Sequence, residues 1–196
     1  MRVLAAGVGM VLGLCAVGGK VEAFSASYDQ KVTQGGQVVT GKVILRDQEF
    51  RFEATVNGQD TVTVRNASGT YTYLVKEGIA MKMSGLDSAQ QPIQHAGDYQ
   101  QYLQERHAER IGTETVDGYR CDVYRFVDPS MPGTATAWVW TEKQFPLKVE
   151  INGSNGNTVI ELTNIQLGVD ASDATFQLPA GAQVMDMDSL MNARGN

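Results

Sequence analysis

Two histidines, His95 and His107, two cysteines, Cys15 and Cys121, and a scatter of carboxylates are the residues whose types could do chemistry in this chain. A zinc site needs His or Cys ligands at short, fixed spacing, but these histidines flank a loop-to-helix boundary and no paired ligand accompanies them. The glycine-flanked elbow of a serine nucleophile is missing, and so is a phosphate-cradling glycine loop. If Asp117-Gly118 is a hairpin turn, Glu114 lies opposite Cys121. Without a histidine beside them that pair is no catalytic dyad, and the cysteine reads as a buried, inert thiol. The residues therefore predict no enzyme, no metal site and no cofactor.

The N-terminus carries Arg2, an uncharged apolar run over 3–17 and the small-residue pattern Val21-Glu22-Ala23, the layout of a signal peptide cleaved after Ala23. That run is shorter than the roughly 20 residues of a spanning helix and is loosened by glycines. Lipidation at Cys15 is the competing fate, against which Leu14 stands where a lipoprotein signal wants a small residue. The expectation is a periplasmic or secreted protein with one domain over 24–185 and a flexible tail over 186–196. After cleavage Cys121 is the remaining thiol, so no intrachain disulfide is available. Cleavage removes two of 16 basic and one of 22 acidic residues, for a net charge of about −7. That balance argues against nucleic acid and against a polybasic membrane binder.

From Phe24 the sequence alternates with period two between short turn signals, as antiparallel strands do. A Gly35-Gly36 turn sets Val32 opposite Val39, Tyr28 opposite Val43 and Ala26 opposite Leu45. An Asp47-Gln48 turn then sets Leu45 opposite Phe50 and Val43 opposite Phe52, and both turns place Lys42 on the other face with Asp29 and Glu53. Reading Asn57-Gly58-Gln59 as a three-residue loop brings Val62 opposite Ala54 and Val64 opposite Phe52. Ser68-Gly69 brings Tyr73 opposite Val64, and Lys76-Glu77-Gly78 brings Met81 opposite Tyr73 and Met83 opposite Tyr71. Six strands would then share one apolar face.

Residues 84–97 read as loop. A helix follows, capped by Asp98 and running to Arg110, with Tyr99, Tyr102 and Leu103 in one buried stripe. Beyond it, Asn155-Gly156 sets Ile151 opposite Ile160 and Val149 opposite Leu162, while the loop Glu142–Phe145 sets Trp140 opposite Leu147 and Trp138 opposite Val149. Residues 173–181 read as an anchoring turn. The expected fold is mainly β: about eleven antiparallel strands, near 25–34, 37–46, 49–56, 60–67, 70–76, 79–83, 111–116, 119–127, 134–141, 146–154 and 157–167, in one strongly curved sheet with a short covering helix.

Three phrases, Gly112-Thr113-Glu114-Thr115-Val116-Asp117-Gly118-Tyr119-Arg120-Cys121, Trp138-Val139 with Phe145-Pro146-Leu147-Lys148-Val149-Glu150, and Phe176-Gln177-Leu178-Pro179-Ala180-Gly181, resemble the LolA/LolB-like lipoprotein-carrier superfamily, and in particular its uncharacterised periplasmic relatives. The resemblance spans most of Phe24 to Met185. It implies an unclosed β-barrel whose concave side, covered by helices, accepts acyl chains of lipid or lipoprotein, with outer-membrane lipoprotein sorting as the associated process. On this reading Phe50, Phe52, Val64, Tyr71, Tyr73, Met81, Met83, Trp138 and Trp140 line a groove, and Tyr99, Tyr102 and Leu103 close it. Two alternatives stay open: the same residues form a closed core, and the scaffold binds an envelope protein with no lipid cargo. A monomer is expected.

Overall fold

A computed structural model describes residues 24–83, 99–129, 133–153 and 156–186. The segment 1–23, the expected loop 84–97 and the tail from 187 onward, and with them the expected signal peptide, Cys15, His95, the capping Asp98 and the turn residue Asn155, lie outside the described residues. The strands are β1 (Ser25–Gln34), β2 (Gln37–Arg46), β3 (Glu49–Val56), β4 (Gln59–Asn66), β5 (Gly69–Leu74), β6 (Ile79–Met83), β7 (Glu109–Val116), β8 (Tyr119–Val127), β9 (Thr134–Trp140), β10 (Phe145–Gly153), β11 (Gly156–Leu167) and β12 (Gln183–Asp186), with α1 (Tyr99–Glu105) between β6 and β7. They form one 12-stranded sheet in the order β12-β6-β5-β4-β3-β2-β1-β11-β10-β9-β8-β7. It is mainly β and unclosed, with β12 and β7 at its edges. Pairing of β1 with β11 joins the two halves of the chain at the middle of the sheet.

The first three strands pair as their turns dictate. Gly35 and Gly36 both take positive φ, the conformation a two-residue hairpin with the right twist requires. Tyr28 then faces Val43, Val43 faces Phe52, and Leu45 faces Phe50. Further along, two expected registers are corrected by one residue. Asn57 and Gly58 both have positive φ and make a two-residue turn, so Phe52 lies opposite Thr63, and Val64 lies opposite Arg51. Because side chains alternate, that slip sends Val62 and Val64 to the reverse face. Tyr71 and Tyr73 pair with Val64 and Val62 and go with them. A second one-residue difference after β5 pairs Met81 with Thr72 and Met83 with Thr70, which returns β6 to the first register of faces.

In the second half the Asp117-Gly118 turn and the Glu114–Cys121 pairing are as expected. Val149 lies opposite Ile160 rather than Leu162, a two-residue difference that keeps the face and sets Lys148, in place of Glu150, against Glu161. A bulge between Pro146 and Lys148 then puts Trp138 opposite Lys148, and Ala137 opposite Val149. The extra residue of a bulge exchanges the faces across it. Trp138 thus lies on the face opposite Ala137 and Val149.

Helix α1 is shorter than expected because it closes in a Schellman motif. His107 takes φ 49°, its N–H bonds to the Gln104 carbonyl over 3.0 Å, and the Ala108 N–H reaches back to Leu103 over 2.9 Å. A histidine in the left-handed position that glycine usually fills leaves no sequence signal for this stop.

Two apolar clusters result among the described residues. The larger joins Ala26, Tyr28, Val43, Leu45 and Phe50 to Phe126, Ala135, Ala137, Val149 and the buried stripe of α1. The smaller, on the reverse face, consists of Val62 and Val64 sealed by Phe176, with Ile44, Tyr73 and Ala171 around them. The anchoring turn expected over 173–181 is therefore a strap across the reverse face. It contains a 3-10 turn (Asp173–Phe176) and continues into β12, a twelfth strand that adds parallel to β6. The short run Gln183–Asp186 carries no hairpin turn joining it to its partner, so nothing local announces it.

Candidate functional site

The cover is built from α1 and the strand ends it touches. Tyr99, Tyr102 and Leu103 are buried, spaced so that one stripe of the helix meets the sheet. The ring of Tyr102 packs edge-on to Phe126 with centroids 5.6 Å apart. Phe126 pairs with Ala135, and Ala137 and Ala135 are both fully buried, so small residues make the floor around it. Gly41 extends the same economy of volume to β2: a Cβ there would fall 2.5 Å from the ring of Phe52, which covers it.

One carboxylate holds the cover. Asp128, just past β8 and only 3% exposed, accepts a 2.6 Å hydrogen bond from the Tyr102 hydroxyl and a 2.9 Å bond from Arg106 Nε. The Arg106 guanidinium also lies 4.9 Å over the Tyr102 ring. Burial first, and then the Asp128 bond, push the Tyr102 phenol far above its ordinary pKa, and the Asp128 bond raises that of Arg106. At the other end of α1 the Gln100 amide bonds to the Gln144 side chain in the β9–β10 turn. Tyr99 is different. Its hydroxyl is buried and has no hydrogen-bond partner among the described residues, and burial raises its pKa strongly. An unsatisfied buried hydroxyl costs about 1–3 kcal/mol, so the closed cover carries a local defect.

The structure divides the expected groove residues into three groups. Phe50, Phe52, Tyr99, Tyr102 and Leu103 belong to the larger cluster, and Met81 lies on the same face of the sheet, half-buried beyond Thr63 and Thr72; Met83 shares that backbone register. Val64, Tyr71 and Tyr73 do not join them, because the slip at Asn57-Gly58 turns them to the reverse face. Trp138 is a buried member of the larger cluster and Trp140 packs against it, and each has a further close neighbour. The Trp138 N–H donates to Glu114 over 2.7 Å under the Lys148 ammonium, 4.5 Å from the ring, and Trp140 packs against Tyr119 with centroids 4.4 Å apart.

Asp128 and Arg106 were not legible as site residues. Only the fold brings Asp128 under the helix, through its bonds to Tyr102 and Arg106. One solvent-open cleft of about 430 Å3 lies at the latch, lined by Glu105, Arg106, His107, Val127, Asp128 and Pro129, and others lie away from it. A polar one of about 730 Å3 sits between the β2–β3 and β4–β5 turns, lined by Arg46, Glu49, Arg65, Asn66 and Lys82, away from the cover. Another of about 330 Å3 has an apolar floor of Leu147, Leu162 and Ile165 beneath Tyr119.

No protein-family model matches the sequence, and no curated protein matches it. Solved structures do. An uncharacterized conserved protein from Thermus thermophilus superposes with a TM-score of 0.61 and 10% identity, over 85% of this chain and 91% of that one. MucB of Pseudomonas aeruginosa, in its complex with MucA, superposes with a TM-score of 0.53 and 17% identity over 83% of this chain. The two share a fold. A second structure of MucB, with MucA(peri), gives a TM-score of 0.51. This chain spans 58% and 57% of MucB in the two, so it corresponds to little more than half of that protein.

Proposed function

We propose that this is an exported binding protein, not an enzyme, that takes an acyl chain of a lipid or lipoprotein between α1 and the sheet, in the manner of the LolA-like carriers its sequence phrases resemble. The observation that carries the reading is the cover itself: an apolar stripe over a floor of small residues, tied down through Asp128. Magnitudes support an exchange. Burying the three side chains of the stripe is worth about 2 kcal/mol each. An acyl chain with ten buried methylenes brings about 8 kcal/mol at 0.8 per methylene. The two are close enough for the latch to decide which one occupies the floor.

Native mass spectrometry of the purified protein, with organic extraction and binding of a fluorescent acyl probe, tests this. Probe binding is expected, and Asp128→Asn, which weakens the closed cover, is expected to raise affinity by about tenfold, the equivalent of 1.4 kcal/mol. No co-purifying lipid together with no probe binding by either protein sinks the carrier reading.

A second reading is a protein-interaction module on the same scaffold with no lipid cargo. What favours it is the fold shared with MucB, whose structure was determined in complex with MucA. Failure of all acyl binding leaves this reading in place.

A further inference from the structure

At one edge of the sheet β12 joins β6 in a way unlike any of the other pairings. Every other pair of neighbours in the sheet is antiparallel, whereas β12 adds to β6 in parallel, over four residues that are all exposed. Val184 and Met185 are 55% and 39% exposed, so β12 buries little side chain in exchange for its place. The strap before it is held quite differently. Phe176 is fully buried beneath the Arg46 guanidinium, Asn66 donates to the Phe176 carbonyl over 2.8 Å, and Arg51 donates to the Thr175 carbonyl over 3.2 Å. Residues 177–182 then lead to β12 through Gly181, at φ 85°, and the Gln183 N–H bonds to the Gly78 carbonyl over 2.9 Å. Short, exposed pairing is the part of a fold that opens most easily, and here it can open without moving the strap.

We infer that the edge of β6 is a strand-accepting site, which β12 fills as a placeholder and an extended segment of another protein takes over. Backbone pairing supplies affinity at such an edge and side-chain positions supply selectivity. The placeholder shows what the site selects. Val184 registers with the fully buried Ala80, Met185 with Met81, and Asp186 with Lys82. The partner segment is therefore extended, with two successive apolar residues followed by an acidic one. The site lies at the sheet edge, away from the α1 cover, and does not depend on acyl binding.

The test uses a chain ending at residue 182 and a fluorescent peptide with the sequence of residues 181–190, read by fluorescence anisotropy. The shortened chain is expected to bind the peptide about tenfold more tightly than the full chain, and a peptide carrying Asp186→Lys about tenfold more weakly than the parent peptide. Equal affinity of both chains, or no binding by a shortened chain whose circular dichroism is that of the full one, overturns the proposal. Should the shortened chain not fold, the intact protein decides by hydrogen exchange. Amides of Gln183 to Asp186 are expected to exchange at least about tenfold faster than those of Val62 and Val64, and to slow when β12 is tethered to β6 by a disulfide between Ala80→Cys and Val184→Cys. Protection of β12 equal to that of β4 overturns the inference.

Discussion

The hydroxyl of Tyr102 donates to the carboxylate of Asp128 over 2.6 Å, a bond that spans 26 residues of sequence and ties α1 to the end of β8. Tyr102→Phe keeps the ring against Phe126 and removes this bond. The expected loss is about 1–3 kcal/mol, because a buried charged acceptor gives up one of its donors. Urea unfolding measures it. A variant as stable as the parent would mean that the bond is replaced and the cover is held by packing alone.

Phe176→Ala empties the reverse-face cluster and is expected to cost about 3–5 kcal/mol. Tyr73→Ala, whose partner in register is Val62, touches the same cluster. The two substitutions together are expected to depart from additivity by about 0.5–3 kcal/mol, as neighbours do. Strict additivity in the double-mutant cycle would contradict the placement of Tyr73 on that face.

Tyr28, Tyr99 and Tyr102 all have their phenols raised far above the ordinary value, with burial the leading cause. In the unfolded chain they ionise near pH 10, so above that pH the unfolded state holds fewer protons than the folded one and stability falls. Each contributes a slope of up to about 1.4 kcal/mol per pH unit. Absorbance at 295 nm is expected to show these three of the seven tyrosines silent until the protein unfolds. Ionisation of all seven in the folded state would refute their burial.

Cys121 is fully buried and its thiol is raised, chiefly by desolvation. Ellman's reagent is expected to leave it unmodified in buffer and to label it on unfolding, since the thiolate is the reacting form. Rapid labelling of the native protein would place it at the surface.

Gly41→Ala is expected to destabilise by about 1–3 kcal/mol, the range for overpacking, because the added Cβ falls 2.3 Å from the Glu53 carbonyl as well as against Phe52. Thermal melting measures the loss. An unchanged midpoint would show that β3 shifts freely away from β2 at this point.

Local chemistry in the sequence determined the mainly β sheet, the registers of β1 to β3, the Asp117-Gly118 hairpin and the stripe of Tyr99, Tyr102 and Leu103. Turn residues that tolerate positive φ, with alternation on either side, specify those features from within a few residues. Tertiary structure decided which face β4 and β5 present. Two-residue and three-residue loops at Asn57-Gly58-Gln59 differ little locally. What distinguishes them is that Val62 and Val64 meet Phe176 on the reverse face, a partner whose carbonyl bonds to Asn66 across 110 residues. The Leu147 bulge, the parallel addition of β12 and the Asp128 latch are of the same kind. Each depends on a partner remote in sequence, where period and turn chemistry carry no information and the burial of shared apolar surface does.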